Sequence, residues 1–282
     1  MRPLSSSSRA RGALLGLLVP SAVAVPERAS GFEAPALALT GEPALALLLA
    51  EELLQPEIDL RRLAHAWADW AARDGRGLDQ GTCSALNHLR VHDSPPSGSV
   101  HESGAGPIVR CVPVALATTH SPASLVSGTY HLVRLTNMEE DSAWAAVAVN
   151  VTMARLLAGK RDFIPDVIEA LRTNGAPAAL LAAARRVPLE QRNDLPFAPG
   201  RDRGPAEAME TALWLACREP NFTGALDWLE ESGADAVTTS LAGTLLGARD
   251  GEQAIPQGRI ARIAEVERTR SLADRLAGKY QS

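Results

Sequence analysis

Aromatic residues, cysteines and clustered positive charges are all scarce in this sequence. Aromatic residues make up 4% of the 282 positions, whereas 46% of the residues are hydrophobic. A core of this composition is built mainly from aliphatic side chains, and the abundance of Ala and Leu favours packed helices over sheets. The formal net charge is −5 and no long basic run occurs, which argues against nucleic acid or a membrane surface as the partner.

The three cysteines, Cys83, Cys111 and Cys217, are widely spaced and odd in number. No CxxC pair occurs, so the sequence predicts neither a cysteine zinc site nor a disulfide framework. We interpret the cysteines as small core residues in a reducing compartment, and we expect a cytoplasmic protein. None has a base at a recognisable spacing that would support a nucleophilic role.

The N-terminal segment supports two interpretations. Two arginines precede the apolar run 12–19, and Ala22-Val23-Ala24 has the form of a cleavage site, so residues 1–24 resemble a secretory signal. Alternatively, the run is a buried first helix that is interrupted at Pro20. We favour the helix and keep export as the alternative. No other stretch is long and apolar enough to span a membrane.

Hydrophobic periodicity predicts helices along most of the chain. The clearest amphipathic stretch is 59–73, where Asp59 can cap the first turn. The stretch 142–158 is apolar on most sides, so we place it at the centre of a bundle and end it at a Gly159 cap. Further helices are predicted over 43–54, 165–172, 178–186, 206–218, 221–232 and 260–278.

Two segments interrupt the helical pattern. Residues 94–106 are rich in Pro, Ser and Gly, and residues 186–205 contain four prolines among mixed charges. Neither segment separates regions of different composition, so both are predicted to be surface loops within one domain that spans 1–282. The predicted fold class is all-α, a single-domain bundle of many helices.

Five blocks, in order, resemble segments of a known family. Residues 11–27 read RGALLGLLVPSAVAVPE, similar to R-G-A-L-L-G-L-A-V-G-D-A-L-G-A-P, and 39–54 read LTGEPALALLLAEELL where T-D-D-T and an apolar helix are expected. Residues 74–89 resemble a glycine-rich segment, and 104–116 (GAGPIVRCVPVAL) resemble G-N-G-x-x-M-R-x-x-P. Residues 232–256 resemble G-G-D-x-D-T, an A-G-A-L-x-G-A helix and I-P. The chain thus resembles the ADP-ribosylglycohydrolases over almost its whole length.

This resemblance implies an all-α domain with two magnesium ions in a central cleft, where the bond between ADP-ribose and an acceptor is hydrolysed. Mg²⁺ needs hard oxygen ligands in near-octahedral geometry, and two adjacent dications need several carboxylates. In the first ligand block, Thr40 keeps the family threonine. The next two family aspartates fall on Gly41 and Glu42.

Other family positions have also lost polar side chains. The two aspartates and the threonine of the last block, and the asparagine of G-N-G, fall on Ala234, Ala236, Val237 and Ala105, respectively. Asp235 lies between the two aspartate positions, out of register, and Asn137 stands in place of the histidine of L-T-H. Most of the expected metal ligands are therefore absent, and we expect no metal and no cofactor.

The predicted cleft is the set of residues at these family positions: Thr40, Gly41, Glu42, Gly104, Ala105, Gly106, Arg110, Asn137, Ala234, Asp235, Ala236 and Val237. Glu42 and Asp235 are the candidate catalytic residues. Arg110 could bind an anion such as a phosphate, or it could be an ion-pair partner that fixes its helix. The six histidines show no HxH or HExxH spacing, and we interpret them as scattered surface residues.

These observations predict an ADP-ribosylglycohydrolase-like protein with a degenerate magnesium site. We expect a pseudoenzyme that binds a nucleotide, another small molecule or a protein in the retained cleft. One alternative is a repurposed enzyme that acts without a metal in an apolar version of the cleft. A second alternative is a weak ADP-ribosyl hydrolase with one metal held by Glu42 and Asp235.

Overall fold

The computed structural model describes residues 4–19, 39, 41–92, 104–118, 121–195 and 204–279. Within these ranges the regular elements are α-helices and short 3-10 turns, and no β-strand occurs. This confirms the predicted all-α fold class. Among the same residues, we find no helix with the length and apolar character that a membrane span requires.

The α-helices, in chain order, are α1 (Ser6–Leu18), α2 (Gly41–Leu53), α3 (Leu60–Arg73), α4 (Gln80–His92), α5 (Gly106–Arg110), α6 (Pro113–Ala117), α7 (Pro122–Val133), α8 (Glu140–Leu157), α9 (Ile164–Thr173), α10 (Ala178–Arg186), α11 (Pro205–Arg218), α12 (Phe222–Glu231), α13 (Ala236–Asp250), α14 (Gln257–Ile260) and α15 (Val266–Lys279).

Helices α1 and α13 pack backbone against backbone. A Cβ atom on Gly12 would overlap the carbonyl oxygen of Gly247, and one on Gly16 would overlap the carbonyl oxygen of Gly243. The four-residue spacing puts both glycines of each helix on the face that meets the other helix. Glycine at these positions therefore sets the distance between the two helices.

The apolar run of the N-terminal segment lies in the core. Leu14, Leu15, Leu17 and Leu18 are all fully buried, as the buried-helix interpretation predicts. Arg9 ties the start of α1 to the ends of two other helices, because it donates to the carbonyl oxygens of Leu156 and Ala248 at 3.2 and 3.1 Å. Pro20 and residues 22–24 lie outside the described ranges.

Helix α8 occupies the centre of the bundle, as predicted. It contacts α5, α6, α7, α9, α11 and α13. The predicted cap at its end is confirmed, because Gly159 has φ +76° and Lys160 N donates to Arg155 O at 2.9 Å. The predicted cap of α3 is also confirmed, since the Asp59 carboxylate accepts from the backbone N–H groups of Arg61 and Arg62.

Some predicted boundaries were wrong. The predicted helix 260–278 begins too early, because Ile260 ends α14, residues 261–265 form a turn and α15 begins at Val266. Hydrogen bonds between residues three positions apart, such as Ile263 N to Ile260 O at 3.0 Å, end α14. The apolar residues Ile260, Ile263 and Val266 keep a three-residue spacing through the turn, so the hydrophobic periodicity does not show it. The predicted loop 94–106 ends earlier, because Gly106 begins α5, and residues 93–103 lie outside the described ranges.

The second predicted loop contains local structure. A 3-10 turn spans Arg192–Asp194, between the end of α10 at Arg186 and the start of α11 at Pro205. The backbone N–H of Gln191, which precedes this turn, donates to the Asp194 carboxylate at 2.9 Å. The side chain thus provides the hydrogen-bond partner that this N–H lacks outside a helix. Residues 196–203 lie outside the described ranges.

Candidate functional site

The centre of the predicted cleft holds an ion pair between Glu42 at the start of α2 and Arg110 at the end of α5. Nε of Arg110 lies 2.7 Å from Oε2 of Glu42, and Nη2 donates to Oε1 at 2.8 Å. Arg110 is 0% exposed and Glu42 is 4% exposed. Only the Nη2–Oε1 contact is a hydrogen bond, whereas Nε and Oε2 lie within ion-pair distance and make no hydrogen bond among the described residues.

Two threonine hydroxyls also accept hydrogen bonds from the guanidinium. Arg110 Nη1 donates to Oγ1 of Thr136 at 2.9 Å, and Nη2 donates to Oγ1 of Thr82 at 2.8 Å. Its face lies over the indole of Trp67, with Cζ 5.8 Å from the ring centroid. Arg110 therefore acts as an ion-pair partner that joins α5 to α2 and α4. Of the two interpretations of this residue, the contacts favour the ion pair over an anion site.

Thr82 connects the ion pair to Asp79, the residue that precedes α4. The Thr82 hydroxyl donates to Oδ2 of Asp79 at 3.0 Å, and the Thr82 N–H donates to Oδ1 at 2.6 Å. Asp79 itself is exposed, whereas Thr82 is buried. The network therefore runs from the interior of the bundle to its surface along the first turn of α4.

Burial dominates the protonation chemistry of Glu42. Loss of solvent raises the pKa of this carboxyl, and the negative charge of Asp79 raises the pKa further. The positive charge of Arg110 and its hydrogen bond to the carboxylate oppose both effects and lower the pKa. Arg110 therefore stabilises the charged form of the carboxyl in place of water.

The backbone at Gly41 is incompatible with a side chain. Gly41 has φ +61°, and a Cβ atom there would lie 2.6 Å from the carbonyl oxygen of Gly77. Its N–H donates to the carbonyl oxygen of Arg76 at 2.6 Å. An aspartate at this position would require the turn at 76–77 to move.

Gly106 has a similar steric role. A Cβ atom on Gly106 would lie 2.5 Å from Oε1 of Glu42, so the glycine makes room for the carboxylate. The two preceding residues pack against the protein interior. The carbonyl oxygen of Gly104 accepts a hydrogen bond from Oγ of Ser142 at 2.9 Å, and Ala105 is 6% exposed.

Asn137 belongs to the turn before α8. Its Oδ1 accepts from Glu139 N at 2.8 Å, and the side chain is 7% exposed. The neighbouring Thr136 is the residue that contacts Arg110. This turn therefore borders the ion pair through Thr136.

The stretch 234–237 leads into α13, which begins at Ala236, and the carboxylate of Asp235 caps that helix. Oδ1 of Asp235 accepts from Thr238 N at 2.7 Å, and Oδ2 accepts from the Thr238 hydroxyl at 2.8 Å. Ala234 and Val237 are half-buried and Ala236 is exposed. Helix α13 contacts α5, which carries Arg110.

The structure thus brings part of the predicted cleft into one cluster: Gly41, Glu42, Gly106 and Arg110. Thr40 lies outside the described residues. Sequence reasoning missed the capping roles of Asp79 and Asp235, although both show the spacing D-x-x-T. Within the described ranges, no group of three or more His, Cys, Asp or Glu residues could hold a metal ion.

The cysteines near the cluster are poorly suited to nucleophilic chemistry. Cys111 follows Arg110 and is fully buried, and burial raises its pKa to about 12. Burial and the nearby charges of Asp79 and Glu42 also raise the pKa of Cys83. At neutral pH both residues are therefore thiols.

A separate groove of about 900 Å³ lies between α7, α8 and α9. Its lining includes Tyr130 and Trp144, whose ring centroids are 5.0 Å apart, and Lys160. The groove shares no residue with the predicted cleft.

Comparisons with known proteins agree with this fold. A family model described as ADP-ribosylglycohydrolase matches residues 2–282. The chain is 27% identical over 239 residues to an ADP-ribosyl-[dinitrogen reductase] glycohydrolase of Rhodospirillum rubrum, with 82% of this chain and 75% of the relative covered. A solved structure described as an ADP-ribosylglycohydrolase-related protein complex has the same fold, with a TM-score of 0.77, 23% identity and coverage of 97% of this chain and 98% of that chain. The chain therefore belongs to the ADP-ribosylglycohydrolase family.

Proposed function

We propose that this protein is a pseudoenzyme of its family, in which the dinuclear magnesium site is degenerate and the retained cleft binds a ligand without hydrolysing it. The observation that carries the proposal is the ion pair between Glu42 and Arg110. Glu42 is the only carboxylate left at the two family aspartate positions of the first ligand block, and its two oxygens face a guanidinium.

Charge supports this proposal. A pair of magnesium ions requires an excess of carboxylates, whereas the cluster combines the carboxylates of Glu42 and Asp79 with the guanidinium of Arg110. A dication that approached Glu42 would have to displace Arg110 and would then lie beside an unpaired buried cation. Separating such a pair is unfavourable, because each charge is left without solvent.

Backbone geometry supports it as well. The left-handed conformation of Gly41 and its close approach to Gly77 leave no space for a restored aspartate. Asp235 uses both carboxylate oxygens to cap α13. Glu42 and Asp235 therefore do not fit the pair of magnesium ions that the family implies, and no chemical step is assigned to such ions.

The ligand that we propose for the cleft is a nucleotide, another small molecule or a protein. The Rhodospirillum rubrum relative is described as acting on ADP-ribosylated dinitrogen reductase. We propose that this chain keeps the scaffold of such an enzyme and has lost the hydrolytic step. ADP-ribose is therefore the first ligand to test, although cleavage of its derivatives is not expected.

The test is an assay of ADP-ribosyl-arginine hydrolysis with excess MgCl₂, with the Rhodospirillum rubrum relative as the positive control. We expect no release of ADP-ribose above the level seen with a Glu42→Gln variant. Magnesium-dependent release by the unaltered chain, abolished by Glu42→Gln, would refute the pseudoenzyme proposal and favour a weak hydrolase.

Binding is measured separately by thermal unfolding, because a ligand that binds the folded state raises the midpoint. If ADP-ribose occupies the cleft, it will raise the midpoint equally with MgCl₂ and with EDTA. A midpoint that rises only with MgCl₂ would contradict a metal-free site.

A further inference from the structure

His88 and His92 form a pair of imidazoles on the last turn of α4. They are four positions apart, so both side chains lie on one face of the helix. Their ring centroids are 4.5 Å apart, and the ring planes are inclined by 40°. His88 is half-buried and His92 is exposed, so the pair is open to solvent.

The two rings are free to bind an ion. Among the described residues, neither ring has a hydrogen-bond or ion-pair partner; their one interaction is with each other. Two nitrogens that each lie about 2.1 Å from one ion are at most about 4 Å apart. The ring centroids, 4.5 Å apart, are already close to that separation.

The location also favours a cation. His92 is the last residue of α4, a helix of 13 residues. The negative end of the helix dipole and the last carbonyl groups lie at this end of the helix. A cation bound there therefore interacts favourably with the helix backbone.

We propose that His88 and His92 form a surface site for one divalent transition-metal ion that prefers imidazole ligands, such as Zn²⁺, Cu²⁺ or Ni²⁺. Water completes the coordination, since no third His, Cys, Asp or Glu joins the pair within the described ranges. The site is distinct from the cleft in its chemistry, because Mg²⁺ selects oxygen ligands. The bound ion bridges two positions one turn apart and stabilises the end of α4.

Isothermal titration of the tag-free full chain with ZnCl₂ and NiCl₂ tests the site. A Cys217→Ser background removes the exposed thiol, which is an alternative ligand. We expect one ion per chain, released by EDTA. His88→Gln and His92→Gln should each weaken binding by at least about tenfold, because the second nitrogen binds at a high effective concentration.

Two controls separate chelation from non-specific binding. The double variant Arg90→His/His92→Gln keeps the number of histidines but places them two positions apart, on different sides of the helix. It should bind as weakly as His92→Gln. His131→Gln removes a single exposed histidine from α7 and should leave binding unchanged. The proposal is overturned if the unaltered pair binds no ion, or if the relocated pair binds as tightly as the original.

Discussion

Glu42 and Arg110 are 68 positions apart in the chain, yet Oε1 of the first accepts from Nη2 of the second at 2.8 Å inside the bundle. The contact fixes α5 against α2, and Thr82 adds α4 to the same network. The carboxylate at a family metal-ligand position thereby has a structural partner.

Replacing Arg110 with leucine should strongly destabilise the fold. Glu42 would remain buried without its partner, and breaking a buried pair from one side costs about 3–5 kcal/mol. Urea unfolding at neutral pH measures the change in the free energy of unfolding. The double variant Glu42→Leu/Arg110→Leu removes both charges and should recover at least half of that loss. A loss below about 1 kcal/mol in the single variant, the level of an exposed pair, would show that the pair is not buried in solution.

Gly16→Ala should weaken the contact between α1 and α13. The added Cβ would overlap the carbonyl oxygen of Gly243, and overpacking of this kind costs about 1–3 kcal/mol. Gly278→Ala on α15 is the matched control, because its Cβ would have no heavy atom within 4 Å. That variant should be neutral or more stable by about 0.5–1 kcal/mol, since alanine favours helix. Equal effects of the two substitutions on the unfolding free energy would contradict the close packing.

Asp235→Ala should lower the free energy of unfolding by about 0.5–2 kcal/mol, because the cap of α13 is lost. Asp235→Asn should cost much less, since asparagine caps helices nearly as well as aspartate. Thermal unfolding should rank the variants in the same order with MgCl₂ and with EDTA. A magnesium-dependent stabilisation that Asp235→Asn abolishes would instead identify Asp235 as a metal ligand.

The cysteines should react with iodoacetamide in the order of their exposure. Cys217 is exposed and should be modified first, and the half-buried Cys83 should follow. Cys111, with a pKa of about 12 and no exposure, should react only after unfolding in urea. Mass spectrometry of peptides from native and unfolded samples gives the order. Modification of native Cys111 as fast as Cys217 would show that the end of α5 opens to solvent.

The all-α class and several helix ends could be predicted because they depend on local signals. The Asp59 cap and the Gly159 cap each involve residues within one or two turns of the helix that they terminate. The break between α14 and α15 could not be predicted, since the apolar spacing continues through the turn. Local periodicity reports which residues face the core, and it does not report a change in helix direction.

The candidate site was only partly predictable for a different reason. The family pattern located Glu42 and Arg110, but the choice between an anion site and an ion pair for Arg110 depends on a residue 68 positions away. The left-handed conformation of Gly41 likewise depends on the turn at Gly77. The four-residue spacing of His88 and His92 is visible in the sequence, whereas the proximity of the rings is a finding of the structure.

The most direct test of the degenerate metal site is anomalous diffraction from crystals of the full chain soaked in MnCl₂, since Mn²⁺ favours the same oxygen ligands as Mg²⁺. We expect no anomalous peak within coordinating distance of Glu42 or Asp235, and the ion pair between Glu42 and Arg110 should remain intact. Two peaks bridged by these carboxylates, with Arg110 displaced, would contradict the account.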